Sequence, residues 1–262
     1  MRGGESAVVM NPAFQVLASR QNKTSVYPWI LRENKSVNTM TSPLQIDLQP
    51  HCLLIRFPGI FNCLSWAPWN GGEASASVVA NVQVGLNRSF SSATLAEDFG
   101  VLFKSHSLIP EETIGLMTAA NVSAFTDCFL NSSGAWVHVL VTVGLSNARS
   151  VLDDADVELG YRDDSVGTVN VVMATNALPT IAGRIQAIHI ASSAKAAAFR
   201  DNGVTSRESD RPADLTGTDC LVVGASGEIV EDHCGLHTVL GEMMGRAVHT
   251  SVSEGIAEYR RS

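Results

Sequence analysis

The chain has no apolar run approaching the roughly 18 residues that a membrane helix needs, and no Cys-x-x-Cys pair among its five cysteines, Cys52, Cys63, Cys128, Cys220 and Cys234. The first absence excludes a helical membrane span. The second leaves no paired ligand spacing for a metal, and the odd, widely scattered thiols read as free cysteines of a reducing compartment. Basic residues are also scarce: 18 Lys+Arg against 26 Asp+Glu give a net charge of −8, which argues against nucleic acid or anionic membrane as partner. The phosphate loop GxxxxGK[ST], the GxSxG nucleophile elbow, the HExxH helix and a glycine fingerprint after the first strand are all missing. At the N-terminus, Ala7 to Met10 is cut short by Asn11-Pro12, so no signal-peptide core forms and a cytoplasmic protein is expected.

What is present is enough apolar residue, 45% of 262, to bury a substantial core. Residues 1–42 are polar and irregular, a loosely ordered arm with one short strand near Phe14 to Leu17. From 43 to 262 the pattern predicts one layered α/β domain. Leu44, Ile46 and Leu48 alternate with polar residues, and Cys52 to Phe57 is mostly apolar; these predict two strands paired across Gln49-Pro50-His51. Phe61 to Trp66 and Val78 to Gly85 read as further short strands, Thr94 to Lys104 as a helix, and Pro110-Glu111-Glu112 as the start of another. Trp136 to Gly144, Val169 to Thr175 and Asp219 to Gly224 are nearly continuous apolar runs, the mark of strands covered on both faces. Two long helices follow, Pro179 to about Arg200 and His237 to about Tyr259, with Val204 to Asp214 a charged loop.

Polar residues cluster where these elements begin and end. His237, with Thr238 beside it and Glu242 a turn on, reads either as a general base near a helix start or as a cap residue. Asp219, between Thr216-Gly217-Thr218 and an apolar strand, either orients a base or water or closes a turn. Asn70-Gly71-Gly72 is a tight turn whose backbone N–H groups can also reach an anion, and Ser65 upstream is the hydroxyl for a covalent route. Asn147 and Asn176 sit at strand ends, while Asn170 lies within an otherwise Val- and Met-built strand and must find partners or face a cavity. Lys195 is flanked by alanine and serine, which suits a solvated helix face or an ion pair with a substrate anion. Asp232-His233-Cys234-Gly235-Leu236-His237 is the nearest thing to a metal site, but Gly235 breaks the helix that would align the two imidazoles, so no metal and no resident cofactor is assigned.

The order of Ser65 with Asn70-Gly71-Gly72, Gly144-Leu145-Ser146-Asn147, Gly167-Thr168-Val169-Asn170, Ala194-Lys195, Thr216-Gly217-Thr218-Asp219 and Gly235-Leu236-His237-Thr238-Val239-Leu240-Gly241-Glu242 resembles the adenosylcobinamide amidohydrolase family of corrinoid salvage. Two positions depart from that pattern: Ser193 stands where the family has glutamate, and Leu215 where it has glycine. A weaker likeness ties Val141 to Ala177 to ornithine acetyltransferase and β-aminopeptidase type enzymes, and it implies an α-β-β-α sandwich. The resemblance implies hydrolysis of the amide joining the corrin side chain to aminopropanol in adenosylcobinamide, giving adenosylcobyric acid, with cobalt carried by the substrate. Together with the residue readings above, it points to His237, Asp219, Glu242 and Ser65 as catalytic residues and to Asn70, Gly71, Gly72, Asn147, Thr168, Asn170, Asn176, Lys195, Thr218 and Thr238 as substrate contacts. Of these, Asn70-Gly71-Gly72, Asn147, Asp219 and His237 are expected to converge on one pocket. The other readings are a non-catalytic corrinoid-binding protein of this fold, and an amidase or acyltransferase acting on another small amide. A homo-oligomer is compatible with all three.

Overall fold

The computed structural model describes residues 15–17, 41–85, 92–155, 167–178 and 180–262. In chain order the elements are β1 (Gln15–Leu17), β2 (Gln45–Gln49), β3 (Cys52–Ser65), β4 (Gly72–Gln83), α1 (Ser92–Ser105), β5 (Thr113–Thr118), β6 (Thr126–Ser132), β7 (Ala135–Val143), β8 (Ala148–Arg149), β9 (Val169–Thr175), α2 (Ile181–Asp201), β10 (Leu215–Thr216), β11 (Cys220–Ala225) and α3 (Val239–Tyr259). Nine strands form one hydrogen-bonded sheet in the order β1-β6-β7-β9-β11-β3-β4-β5, with β2 on the free side of β3, and β8 and β10 form a small ribbon apart. Most of the N-terminal arm lies outside the described residues; its short strand is β1, antiparallel to β6.

The sheet doubles over on itself because β3 bends. The expected separate strands Cys52–Phe57 and Phe61–Trp66 are one 14-residue strand. Its register with β4 shifts between Arg56 and Phe61, where Pro58, Gly59 and Ile60 are exposed. The first half of β3 pairs with β2, the second half with β11, and β4 follows both. Side chains of β3, β4 and β5 therefore meet those of β6, β7, β9 and β11 in an inter-sheet core that includes Phe61, Ile114, Trp136, Leu140, Val172 and Val222. The opposite face of β6, β7, β9 and β11 packs under α2 and α3, and the outer face of β3 and β4 packs under Phe99, Leu102 and Phe103 of α1. The result is the expected α-β-β-α sandwich.

Strands β9 and β11 are parallel, joined through α2, and every residue of both is buried. Val169, Val171 and Met173 face the helices while Val172 and Ala174 face the second sheet, so both strands are largely apolar, with Asn170 and Thr175 the buried polar residues of β9. Helix α2 approaches closely because half of its buried residues are small: Gly183, Ala187, Ala191 and Ala198. Thr180 and Thr238 cap the two long helices by accepting the N–H of Gly183 and Gly241.

One expected helix is absent. Pro110–Glu112 makes a single 3-10 turn and the chain passes at once into β5, parallel to β4. Proline and acids favour a helix start, but Thr113 to Thr118 completes the edge of the second sheet, and burial there outweighs the local signal. Replacing Leu140, 1% exposed in the inter-sheet core, by alanine is expected to lower unfolding free energy by about 2–5 kcal/mol in chemical denaturation, the usual cost of an aliphatic cavity.

Candidate functional site

The side-chain carboxylate of Asp219 is buried just before β11, and so is the ammonium of Lys195 from α2; both side chains are 7% exposed. They form an ion pair, and the Thr216 hydroxyl also donates to the carboxylate. The backbone N–H of Val169 reaches Oδ1 at 3.0 Å and that of Thr216 reaches Oδ2 at 3.2 Å. Four donors on one buried carboxylate are what a desolvated charge needs to be tolerated. Lys195 is therefore not on a solvated face: it lies four residues after Ala191 and three before Ala198, in phase with the buried stripe of α2. That phase is legible in the sequence and already demands a partner.

Around this pair, at the N-terminal ends of β9 and β11, several predicted residues come together. The Thr168 and Thr218 hydroxyls are 2.7 Å apart, and Thr218 donates to the Gly167 carbonyl at 3.0 Å. Asn147 Oδ1 accepts the N–H of Gly217 at 3.2 Å. A side chain at Gly167 would collide with Ser146 and Asn147, so glycine is required for the loops to close up. Trp66 projects from the end of β3, its indole N–H donating to the Asp219 carbonyl oxygen at 2.6 Å and its ring 49% exposed. Sequence reasoning passed over Trp66. Ser65 next to it is buried toward the inter-sheet core, its hydroxyl accepting the N–H of Ala67 at 3.4 Å.

Other predicted residues hold the scaffold. Asn70, with φ 54°, donates through Nδ2 to the carbonyls of Pro110 and Thr113 at 2.8 and 2.9 Å, tying the β3–β4 turn to β5. Gly71 is pinned against the Ala67 backbone, and Gly72 takes φ 91°. Asn176 accepts the N–H of Trp136 and donates to the Gly134 carbonyl, both at 2.9 Å, which clamps the β6–β7 turn. Asn170 bridges the two sheets, donating to Asn81 Oδ1 at 2.8 Å and the Met117 carbonyl at 2.9 Å; Asn81 in turn donates to Thr142 at 2.9 Å. The Asn170 Oδ1 atom is buried without a hydrogen-bond partner among the described residues.

His237, Thr238 and Glu242 do not join this group. The loop before α3 packs at the other end of the strands, where Ile229 N–H donates to the Asn176 carbonyl at 2.9 Å and Cys234 N–H to Gln186 at 3.0 Å, in the second turn of α2. Strand β11 has six residues, which separates its two ends by roughly 20 Å. Both long helices start at the C-terminal ends of the strands, so a motif at a helix start falls opposite Asp219; single-pocket convergence is corrected on that ground. His237 is exposed, its ring folded back over Gly235. Thr238 is the cap of α3, and Glu242 pairs with Arg246 at 2.7 Å rather than with His237.

No group of three or more His, Cys, Asp or Glu side chains able to hold a metal occurs among the described residues. All five cysteines are free and buried. Burial pushes the thiols of Cys52, Cys63, Cys128 and Cys220 up to about 12 and that of Cys234 to about 11, so none is a nucleophile near neutrality. A disulfide-exchange reagent at pH 8 is expected to leave the folded protein unlabelled and to titrate five thiols after unfolding. Lys195→Met, which strands a buried carboxylate, is expected to destabilise by about 3–5 kcal/mol. Combining it with Asp219→Leu should recover much of that loss in a double-mutant cycle read by denaturation.

The profile of the adenosylcobinamide amidohydrolase family matches residues 37–262. An uncharacterized protein from Methanocaldococcus jannaschii is 36% identical over 94 residues, a segment spanning 36% of this chain and 37% of that one. Among solved structures, the PH0078 protein from Pyrococcus horikoshii OT3 aligns over 94% of this chain and 84% of its own, with TM-score 0.41 and 9% identity. A β-aminopeptidase from a Burkholderia species aligns over 95% and 84%, with TM-score 0.40 and 10% identity. The L-aminopeptidase D-Ala-esterase/amidase from Ochrobactrum anthropi aligns over 83% and 82%, with the same score and identity. With the profile running from residue 37 through the inter-sheet core and both long helices to residue 262, the chain belongs to the adenosylcobinamide amidohydrolase family.

Proposed function

We propose that this protein hydrolyses the amide linking the corrin side chain to aminopropanol in adenosylcobinamide. Water adds to the amide carbonyl, the C–N bond breaks, the amine leaves protonated, and adenosylcobyric acid remains as carboxylate. The observation that carries this reading is the family match over residues 37–262. The geometry that supports it is the polar group at the N-terminal ends of β9 and β11. There the exposed Thr218 hydroxyl lies within hydrogen-bond distance of that of buried Thr168, and the ammonium of Lys195 is held in an internal ion pair with Asp219. A preformed dipole of this kind favours an oxyanion at its ammonium end without reorganising during the reaction. Trp66 presents an exposed ring at the same rim, a surface for the broad apolar face of a corrin.

The two departures from the family pattern leave this group intact. Ser193 is exposed and lies two residues from Lys195, on the outer side of α2. Leu215 pairs with Arg149 in the β8–β10 ribbon, while the adjoining Thr216 keeps its bond to Asp219. A cytoplasmic setting accords with five free thiols. No helix of the described residues is long and apolar enough to cross a membrane.

Incubation with adenosylcobinamide, without added metal and with a chelator present, is expected to release aminopropanol and adenosylcobyric acid, detected by mass spectrometry. Asp219→Asn should lower turnover by about 10² or more. Trp66→Ala should raise KM roughly tenfold with kcat little changed, the equivalent of about 1.4 kcal/mol of lost ring contact. Larger loss from His237→Ala than from Asp219→Asn would move the site to the opposite end of the strands. Absence of products with intact corrinoid binding would make the protein a non-catalytic corrinoid-binding protein.

A further inference from the structure

A second arrangement of reactive side chains lies apart from the Asp219 group. His138 on β7 is 2% exposed and hydrogen-bonded through both ring nitrogens. Its Nδ1 is 2.6 Å from Ser42 Oγ and its Nε2 is 2.9 Å from Asp127 Oδ2. The sheet register builds the second of these contacts: Phe129 of β6 lies opposite His138, and Asp127 precedes it by two residues on the same face. Diagonal neighbours on an antiparallel pair are within reach of such side chains. The ring is steadied edge-on against Phe129, with centroids 5.7 Å apart and planes at 83°. Ser42 arrives on the segment leading into β2, where its Oγ also accepts the N–H of Leu44 at 3.2 Å. Leu44 is buried in the inter-sheet core, which fixes that segment over the imidazole.

In the tautomer whose Nε2 proton is donated to the carboxylate, Nδ1 is the acceptor and the serine O–H can donate to it. A hydroxyl within hydrogen-bond reach of a base, and a base oriented by a third group, is the geometry of an activated nucleophile. The carboxylate holds the tautomer and stabilises the imidazolium once the proton has moved. Ser42 is half-buried whereas His138 is enclosed, so a small acyl group can approach the oxygen while bulk water has little access to the ring.

We propose that Ser42, His138 and Asp127 form a second, acyl-transfer centre acting on small esters or activated amides. Ser42 Oγ bonds to the carbonyl carbon and its proton passes to His138 Nδ1. As the bond to the leaving group breaks, the leaving group takes that proton and departs neutral. Water then adds to the acyl-serine, gives a proton to His138, and the acid is released as Ser42 recovers its hydrogen. No oxidant, metal or cofactor enters the balance.

The test uses the full chain, a fluorophosphonate probe and p-nitrophenyl acetate. Mass spectrometry of the digested, labelled protein is expected to place one phosphonyl adduct on Ser42, and acetate release should show a burst of about one equivalent. Asp127→Asn, checked for an unchanged melting profile, should slow labelling by about 10² or more, because it loses the orienting charge and keeps the shape. Should His138 substitution prevent folding, the wild-type adduct and the Asp127→Asn rate still decide the matter. A wild-type protein with no adduct on Ser42, or equal labelling rates in wild type and Asp127→Asn, would overturn the proposal and leave the three residues as a latch on the β2 segment. Neither outcome depends on cobinamide turnover.

Discussion

One buried carboxylate organises the end of the sandwich where the polar residues gather. Asp219 takes an ammonium from α2, a hydroxyl and an N–H from Thr216, and the first N–H of β9. A charge removed from water is costly unless each lone pair is met, so these elements can settle only in positions that deliver their donors together. The Trp66 contact to the Asp219 carbonyl adds the end of β3 to the same knot. Removing one donor would leave the others bound to an uncompensated charge, which is why the constraint acts on the whole end of the sheet and not on one side chain.

The proposed chemistry inherits that constraint. The exposed Thr218 hydroxyl and Trp66 indole, with buried Thr168 and Asn147, surround an internal ion pair, so its dipole is set before any substrate arrives. The opposite end, where α2 and α3 begin, is of another character. There the capping threonines, the Glu242–Arg246 pair and the fold-back of His237 over Gly235 serve helix starts. Family membership says which chemistry to look for, and this contrast between the ends is the ground for proposing the Asp219 end as its place.

Particular residues show why the sequence was readable in places and opaque in others. Strands β9 and β11 were legible because burial on both faces removes polar residues, leaving a run no surface element would carry. Lys195 was legible too, once its place in the small-residue stripe is counted. Strand β5 was not, because Pro110-Glu111-Glu112 gives the local signal of a helix start and only parallel pairing with β4 overrides it. Strand β6, with Asp127, Asn131 and Ser132 among its seven residues, lacks the alternation that marks a strand. Nor could spacing along the chain reveal that a motif at a helix start and another at a strand start lie at opposite ends. That follows from α3 starting beyond the C-terminal end of β11 and running back over β6 and β7, a matter of topology.

The position of β11 bears on how the chain reaches this state. It is the last strand in sequence, yet it lies in the middle of the sheet, parallel to β9 and antiparallel to β3, with Val222 beside Ser65. Until it inserts, the strands before it form two separate half-sheets with raw edges facing each other. Pairings this distant in sequence are slow to form because the loop must close before any contact rewards it, and exposed edges invite pairing with other chains meanwhile. During synthesis the two halves therefore wait for β11, and the sheet becomes one object only when that strand arrives.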